Sequence, residues 1–267
     1  LKLKTALNLA KKNLKTHKEE ALFILCEYLQ KDRAFVVLNA DFDFDEKPYF
    51  KLIERFSKGE PFEYIFEKAQ FYGLEFKVQK GVLVPRFDTE ILLGLALKEL
   101  SQKKYTNILE IGFGSGILSI ILALKLGLKI KACDISKLAL KLAKENALRH
   151  EVEHLIDFKL CDFRNFEGEV DFIISNPPYI QNDYKLDIWV QNEPKEALFG
   201  GVKGYEFLEE LIVFARKNKA KALACEFGYD QKEILHKILH KNGFKAEFFK
   251  DFAGFDRAFL AHVVETI

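Results

Sequence analysis

Methionine is missing from all 267 residues of this chain, an initiator included, and cysteine is sparse, with four residues. Cys26, Cys133, Cys161 and Cys225 show no Cys-x-x-Cys spacing, and Cys133 and Cys225 sit in apolar, strand-like runs. That argues against a disulfide framework and predicts reduced core thiols in a cytoplasmic protein. No uninterrupted apolar run is long enough to cross a membrane, and no cleavable leader is evident, so no membrane partner is expected. Excess charge is lacking too: 41 Lys and Arg against 40 Asp and Glu leave a net charge of +1. Such a balance argues against a large nucleic-acid footprint, although a local basic patch would not show in that sum, and direct nucleic-acid binding is not expected. Histidines are few and scattered. His236 and His240 are four apart on a helical stretch, but no carboxylate or cysteine completes a metal set, so no metal is expected. No Ser/His/Asp or Cys/His nucleophile arrangement stands out.

What remains is a globular composition, 49% hydrophobic and 30% charged, in a chain long enough for two domains. Residues 1–60 read as helical: Leu3, Ala6, Leu7, Leu9, Ala10 and Leu14 form one apolar stripe, and Ala21, Leu22, Ile24, Leu25, Tyr28 and Leu29 a second. Short helices over Arg33–Leu38 and from Glu46 to Ser57 complete a small bundle. Residues 61–84 change to strand-like runs broken by Gly73 and Gly81, which predicts a β-hairpin linker. A helix then opens near Asp88 or Thr89, either of which could cap it or contact a ligand. From Asn107 the chain alternates strand and helix, the signature of βαβ crossovers in a parallel sheet. Two closing strands, Ala246–Lys250 and Ala258–Val264, lie so near in sequence that the last must run antiparallel. The expected fold is therefore α/β, a doubly wound, mostly parallel sheet over 85–267 with an antiparallel last strand and an N-terminal helical bundle.

The first chemical motif is the turn Gly112-Phe113-Gly114-Ser115-Gly116 after the strand Ile108–Ile111. Its glycines allow a tight strand-to-helix turn and leave room for a ligand against the backbone. Ile117 stands where a dinucleotide fingerprint wants glycine or alanine, which disfavours NAD. Asp134 ends the next strand, placed to accept from the hydroxyls of a ribose. The alternative is a helix N-cap, for which Ser136 competes. Asp162 and Phe163 follow the third strand, where a carboxylate could accept from an adenine amino group while the ring packs on the base; a surface turn reads equally well. Glu110 is placed as a strand-end carboxylate near a cationic ligand group. The turn has no phosphate-cradling lysine, so adenosine carrying a positive sulfur fits better than a polyphosphate.

The second motif is Asn176-Pro177-Pro178-Tyr179, which stops the apolar run Phe172-Ile173-Ile174. Proline fixes φ and holds the preceding residue extended, so the Asn176 side chain and the Pro177 carbonyl can offer two acceptors to the hydrogens of a planar –NH₂ group, with Tyr179 as an aromatic face. Alone, the motif reads equally as an ordinary loop. The upstream glycine turn shifts the balance, because both then lie at carboxyl ends of strands in one open sheet, where ligands bind.

On these residues the chain resembles the class I S-adenosylmethionine-dependent methyltransferases. More closely, it is similar to the protein-(glutamine-N5) methyltransferases of peptide chain release factors, the PrmC/HemK family. The likeness runs through Gly59-Glu60-Pro61 with Tyr64, Phe71-Tyr72-Gly73, Val84 to Glu90, Glu193-Pro194 with Ala197 to Gly201, Glu226 to Gln231, and Asp251 to Arg257. It implies S-adenosylmethionine bound by Gly112, Phe113, Gly114, Ser115, Gly116 and Asp134, with Asp162, Phe163 and Asn176 beside it. It further implies a release-factor glutamine held by Asn176, Pro177, Pro178 and Tyr179, and methyl transfer to that amide nitrogen in its Gly-Gly-Gln motif, giving S-adenosylhomocysteine. The helical bundle is then expected to grip the release factor. Departures are Phe163 for the usual tryptophan, Phe113 for a small polar residue, Glu110 for aspartate and Phe87 for a second proline. The competing readings are a DNA or RNA amino-group methyltransferase, which the near-neutral charge opposes, and a non-catalytic binding module, which the intact motifs oppose.

Overall fold

The computed structural model describes residues 1–15 and 17–264, which divide into two compact units. The first comprises Leu1–Glu67 together with the later segment Leu186–Asn192. Its helices are α1 (Leu3–Asn13), α2 (Lys18–Leu29), α3 (Arg33–Leu38), α4 (Glu46–Ser57) and α5 (Phe62–Phe66). Carboxylates start two of them: Asp32 accepts from the Phe35 amide at 2.7 Å and Asp45 from the Lys47 amide at 3.2 Å. The apolar stripes bury Leu3, Ala6 and Ala10 of α1 against Leu22 and Leu25 of α2 and Tyr49 and Ile53 of α4. Helix α5 lies in residues read from sequence as part of the hairpin, and Glu67, at φ +54°, ends it. The segment 186–192 brings Trp189, whose indole N–H donates to the Phe56 carbonyl at 3.1 Å and whose ring lies 4.2 Å from that of His17.

The second unit holds the remaining described residues. It opens with a hairpin, β1 (Lys68–Phe71) and β2 (Leu74–Lys77), turned by Tyr72 and Gly73, both at positive φ (51° and 75°) as a two-residue hairpin loop requires. Val82–Val84, expected as a third strand, is irregular. The Val84 amide donates at 2.9 Å to the buried Glu193 carboxylate rather than to a neighbouring strand. Then follow α6 (Thr89–Gln102), β3 (Ile108–Ile111), α7 (Ile117–Leu126), β4 (Ile130–Asp134), α8 (Lys137–Arg149), β5 (Ile156–Leu160), β6 (Phe172–Ser175), β7 (Ile180–Gln181), β8 (Phe199–Gly201), α9 (Glu206–Lys217), β9 (Ala222–Glu226), α10 (Lys232–Lys241), β10 (Phe244–Lys250) and β11 (Asp256–Val263).

Among the described residues seven strands form one sheet in the order β10-β11-β9-β6-β3-β4-β5, all parallel except β11, which pairs antiparallel with both β10 and β9. Alternate strand residues serve opposite faces. Ile108, Ala132, Phe172, Ile174 and Ala222 pack with α6, α7 and α8, while Leu109, Ile111, Cys133, Ile173 and Leu223 pack with α9 and α10. Both faces are covered, which is why the strands read as continuous apolar runs. Strands β7 and β8 form a separate parallel ladder just beyond the Asn-Pro-Pro-Tyr loop, unforeseen in the sequence. Gly200 permits it, since a Cβ there would come within 2.5 Å of the Pro178 carbonyl oxygen.

Candidate active site

The order in which strands are added to the sheet reverses at β3, with β4 and β5 on one side and β6 and β9 on the other. An open cleft lies at the carboxyl ends of these strands, the place where such sheets bind ligands. Gly112, Phe113, Gly114, Ser115, Asp134, Asp162, Phe163, Asn176 and Pro178 all line it. Gly116, Pro177 and Tyr179 are not among its lining residues. The turn's glycines have different reasons. Gly116 (φ +84°) sits against α8, where a Cβ would be 3.1 Å from that of Ala143, whereas Gly112 (φ +73°) faces open space, with nothing within 4 Å of a Cβ. The backbone at Gly112 is thus bare toward the cleft.

Asp134 closes β4 and ties this turn down. Its Oδ2 accepts from the Gly114 amide at 2.9 Å and its Oδ1 from the Ser136 amide at 2.8 Å. Burial raises its carboxyl above the ordinary range, opposed by these backbone hydrogen bonds. The cap of α8 belongs to Ser136, which accepts from the Ala139 amide, so Asp134 retains lone pairs for a ligand hydroxyl.

Four neighbours have partners of their own. Glu110 lies within β3, fully buried, and its carboxyl accepts from the backbone amide of Ser119 at 3.0 Å and from the Ser119 hydroxyl. Burial pushes it up to about 8, so it carries little charge at neutral pH for a cation. Asp162 is committed to Arg164, accepting from its backbone amide and its guanidinium, both at 2.9 Å. Phe163 is buried edge-on against Phe214, with the Arg164 guanidinium 4.9 Å from its centroid. Phe113 packs its ring on Phe158 at 4.9 Å and so belongs to the core as well as to the turn.

The other side of the cleft is built around Asn176. Its side-chain Nδ2 donates to the Thr89 hydroxyl at 2.9 Å, Thr89 donates to Glu226 at 2.7 Å, and Tyr179 donates its phenol to the other Glu226 oxygen at 2.9 Å. Thr89 and Glu226 are each 1% exposed. Burial raises Glu226 to about 7, with Asp88 adding to the rise and the Thr89 and Tyr179 hydroxyls opposing it. Gln231 steadies the same loop, donating to the Tyr179 carbonyl at 2.8 Å. Neither Asp88 nor Thr89 caps α6: Asp88 pairs with Arg257 at 3.4 Å, and Thr89 has turned inward. Among the described residues no donor is directed at Asn176 Oδ1. Thr89 and Glu226 were visible in the sequence only as parts of motifs, because nothing local predicts a contact across 137 residues. The same holds for Arg86, whose guanidinium pairs with Glu193. No group of His, Cys, Asp or Glu among the described residues could hold a metal, and no helix of these residues is long and apolar enough to cross a membrane.

The family described as Methyltransferase small domain matches residues 87–193, and that described as PrmC N-terminal domain matches residues 4–66. The chain is 36% identical over 267 residues to a release factor glutamine methyltransferase of Clostridium botulinum, covering 95% of this chain and 94% of the relative. A protein of the same name from Dictyoglomus turgidum is 40% identical over 252 residues, covering 89% and 88%. Among solved structures, a methyltransferase from Pyrococcus furiosus superposes with a TM-score of 0.53 at 22% identity, over 72% of this chain and 89% of that one, a likeness of fold.

Proposed function

The chain belongs to the release factor glutamine methyltransferase family, and from that premise we propose that it methylates the side-chain amide nitrogen of the Gly-Gly-Gln glutamine in peptide chain release factors, with S-adenosylmethionine as donor. The observation that carries this reading is the pairing, in one cleft, of a bare glycine turn tied to Asp134 with an Asn176 whose Oδ1 is unclaimed among the described residues. The residues fit the donor: Gly112 leaves space for the ligand, and Asp134 has acceptor capacity for ribose hydroxyls. Adenine would lie toward Asp162 and Phe163, although Arg164 already engages both. When bound, S-adenosylmethionine supplies a methyl group whose C–S bond breaks as the N–C bond forms, leaving S-adenosylhomocysteine.

An amide nitrogen is a weak nucleophile because its lone pair is delocalised. Asn176 Oδ1 and the Pro177 carbonyl would each accept one N–H of the glutamine, fixing its plane and favouring positive charge as it develops on nitrogen. The nitrogen becomes acidic once methylated and releases its proton to solvent, so no strong base is needed. The N-terminal helices would recognise the release factor. The test is transfer of labelled methyl to a purified release factor, set against DNA and ribosomal RNA. Labelling of the glutamine amide alone supports the proposal, and labelling of nucleic acid alone overturns it.

A further inference from the structure

An asparagine amide can present either end to a ligand, and only its oxygen end can accept from an incoming –NH₂ group. In this structure the choice is made two residues away. Glu226 accepts from Tyr179 at one oxygen and from Thr89 at the other. Thr89 has a single hydroxyl proton, and an ionised carboxylate cannot return one. The Thr89 oxygen is therefore left only as an acceptor, which requires the NH₂ end of Asn176 at the 2.9 Å contact between them. Asn176 lines the cleft, so Oδ1 is the end of the amide left to face a ligand there. Both Thr89 and Glu226 are buried, so water cannot scramble this order.

We propose that Thr89 and Glu226 are positioning residues, forming a relay of fixed hydrogen-bond direction that holds Asn176 with its oxygen toward the substrate amide. The inference rests on the reading of Asn176 as acceptor for that amide. It has a consequence in pH. The groups facing Glu226 are Thr89 of α6, Tyr179 after β6, Asp88 before α6, which raises it, and Arg257 of β11, which lowers it. Burial raises its carboxyl, the Thr89 and Tyr179 hydroxyls oppose that rise, and the balance lies at about 7. Protonated Glu226 donates to Thr89, Thr89 donates to Asn176, and the amide rotates to present NH₂ against NH₂. Turnover therefore falls as pH drops through the range around 7.

The experiment uses the full chain with S-adenosylmethionine and a purified release factor. Thr89→Val, which keeps shape and removes the hydroxyl, is expected to lower kcat about 10²-fold, the scale of a misplaced reacting group, with KM and cofactor affinity little changed. Thr89→Ser is expected to recover most of that loss. Glu226→Gln is expected to lower kcat and to abolish the acid limb near pH 7. A measurement free of turnover accompanies these: solvent exchange of the Asn176 side-chain amide protons, assigned through their disappearance in Asn176→Asp. They are expected to exchange slowly in wild type and Thr89→Ser and fast in Thr89→Val. Wild-type kcat in Thr89→Val, or unchanged protection of those protons, overturns the relay. A wild-type enzyme that methylates no release factor would instead strike the proposed function, and the exchange data would still decide the relay.

Discussion

Asp134 reaches from the end of β4 to the neighbouring glycine turn, its Oδ2 accepting from the Gly114 amide at 2.9 Å. One carboxylate thus fixes the turn's shape and keeps lone pairs for a ligand. Asp134→Ala removes both, and cofactor affinity is expected to weaken by about 1.5–3 kcal/mol, the worth of a hydrogen bond to a charged group. Calorimetry on the folded variant checks this. Undiminished affinity would remove Asp134 from the site.

Glu110 supplies a stability prediction. Its carboxyl is raised from 4.5 to about 8 because burial outweighs the two Ser119 hydrogen bonds. Below about 4.5 both folded and unfolded chains hold the proton, and its contribution is complete. As pH rises toward 8 the unfolded chain ionises first, so stability falls by at most about 1.4 kcal/mol per pH unit for this group. Glu226, raised to about 7, acts in the same direction over a shorter range. Denaturant unfolding of the ligand-free protein is expected to show stability declining from pH 5 to 8, with a shallower slope in Glu110→Gln. An equal slope in that variant would mean that Glu110 is ionised in the folded state.

Much of this architecture was legible because the signals are local. The Leu/Ala stripes of α1 and α2 fixed those helices, and the fully apolar Phe172-Ile173-Ile174 run identified a strand covered on both faces. The antiparallel β11 followed from its short link to β10. What escaped was set by distant partners. Val82–Val84 has strand propensity, but its amide is taken by Glu193, and Trp189 packs with helices far upstream in sequence. Thr89 looked like a cap because a threonine stands just before the apolar positions Ile91 and Leu92 of α6, and only the arrival of Glu226 on β9 explains why it turns inward.

Trp189 is the sole tryptophan of the chain, and its half-buried ring rests on Phe56 at 5.1 Å. Trp189→Ala is expected to destabilise the helical unit by about 2–3 kcal/mol, below the range for a fully buried ring because part of its surface is already wet. Cofactor affinity is expected to hold, since Trp189 does not line the cleft, while methylation of the whole release factor declines. Unfolding followed by helical circular dichroism, beside calorimetry with the cofactor, checks both halves. The same packing means that a truncation at residue 60 would strand 186–192, so Trp189→Ala is the cleaner probe of this unit.

Asn176 puts the direction of the relay at greatest risk. Asn176→Ala removes one of the two proposed acceptors and leaves the Pro177 carbonyl, and turnover is expected to fall by about 10²–10³, the scale for one preorganised polar group. Asn176→Asp keeps an acceptor toward the cleft but also places one against Thr89, whose only proton already goes to Glu226 at 2.7 Å. Two acceptors then face each other, so this variant is expected to fall between wild type and Asn176→Ala. The double variant Asn176→Asp/Glu226→Gln separates this account from a simple charge effect. The new amide can donate to Thr89, which frees the Thr89 proton for the new carboxylate and reverses the whole chain of hydrogen bonds without a clash. Single-turnover rates at saturating cofactor are expected to be higher in the double variant than in Asn176→Asp, although Glu226→Gln alone lowers the rate. Independent, additive losses would show instead that the two residues do not communicate through Thr89.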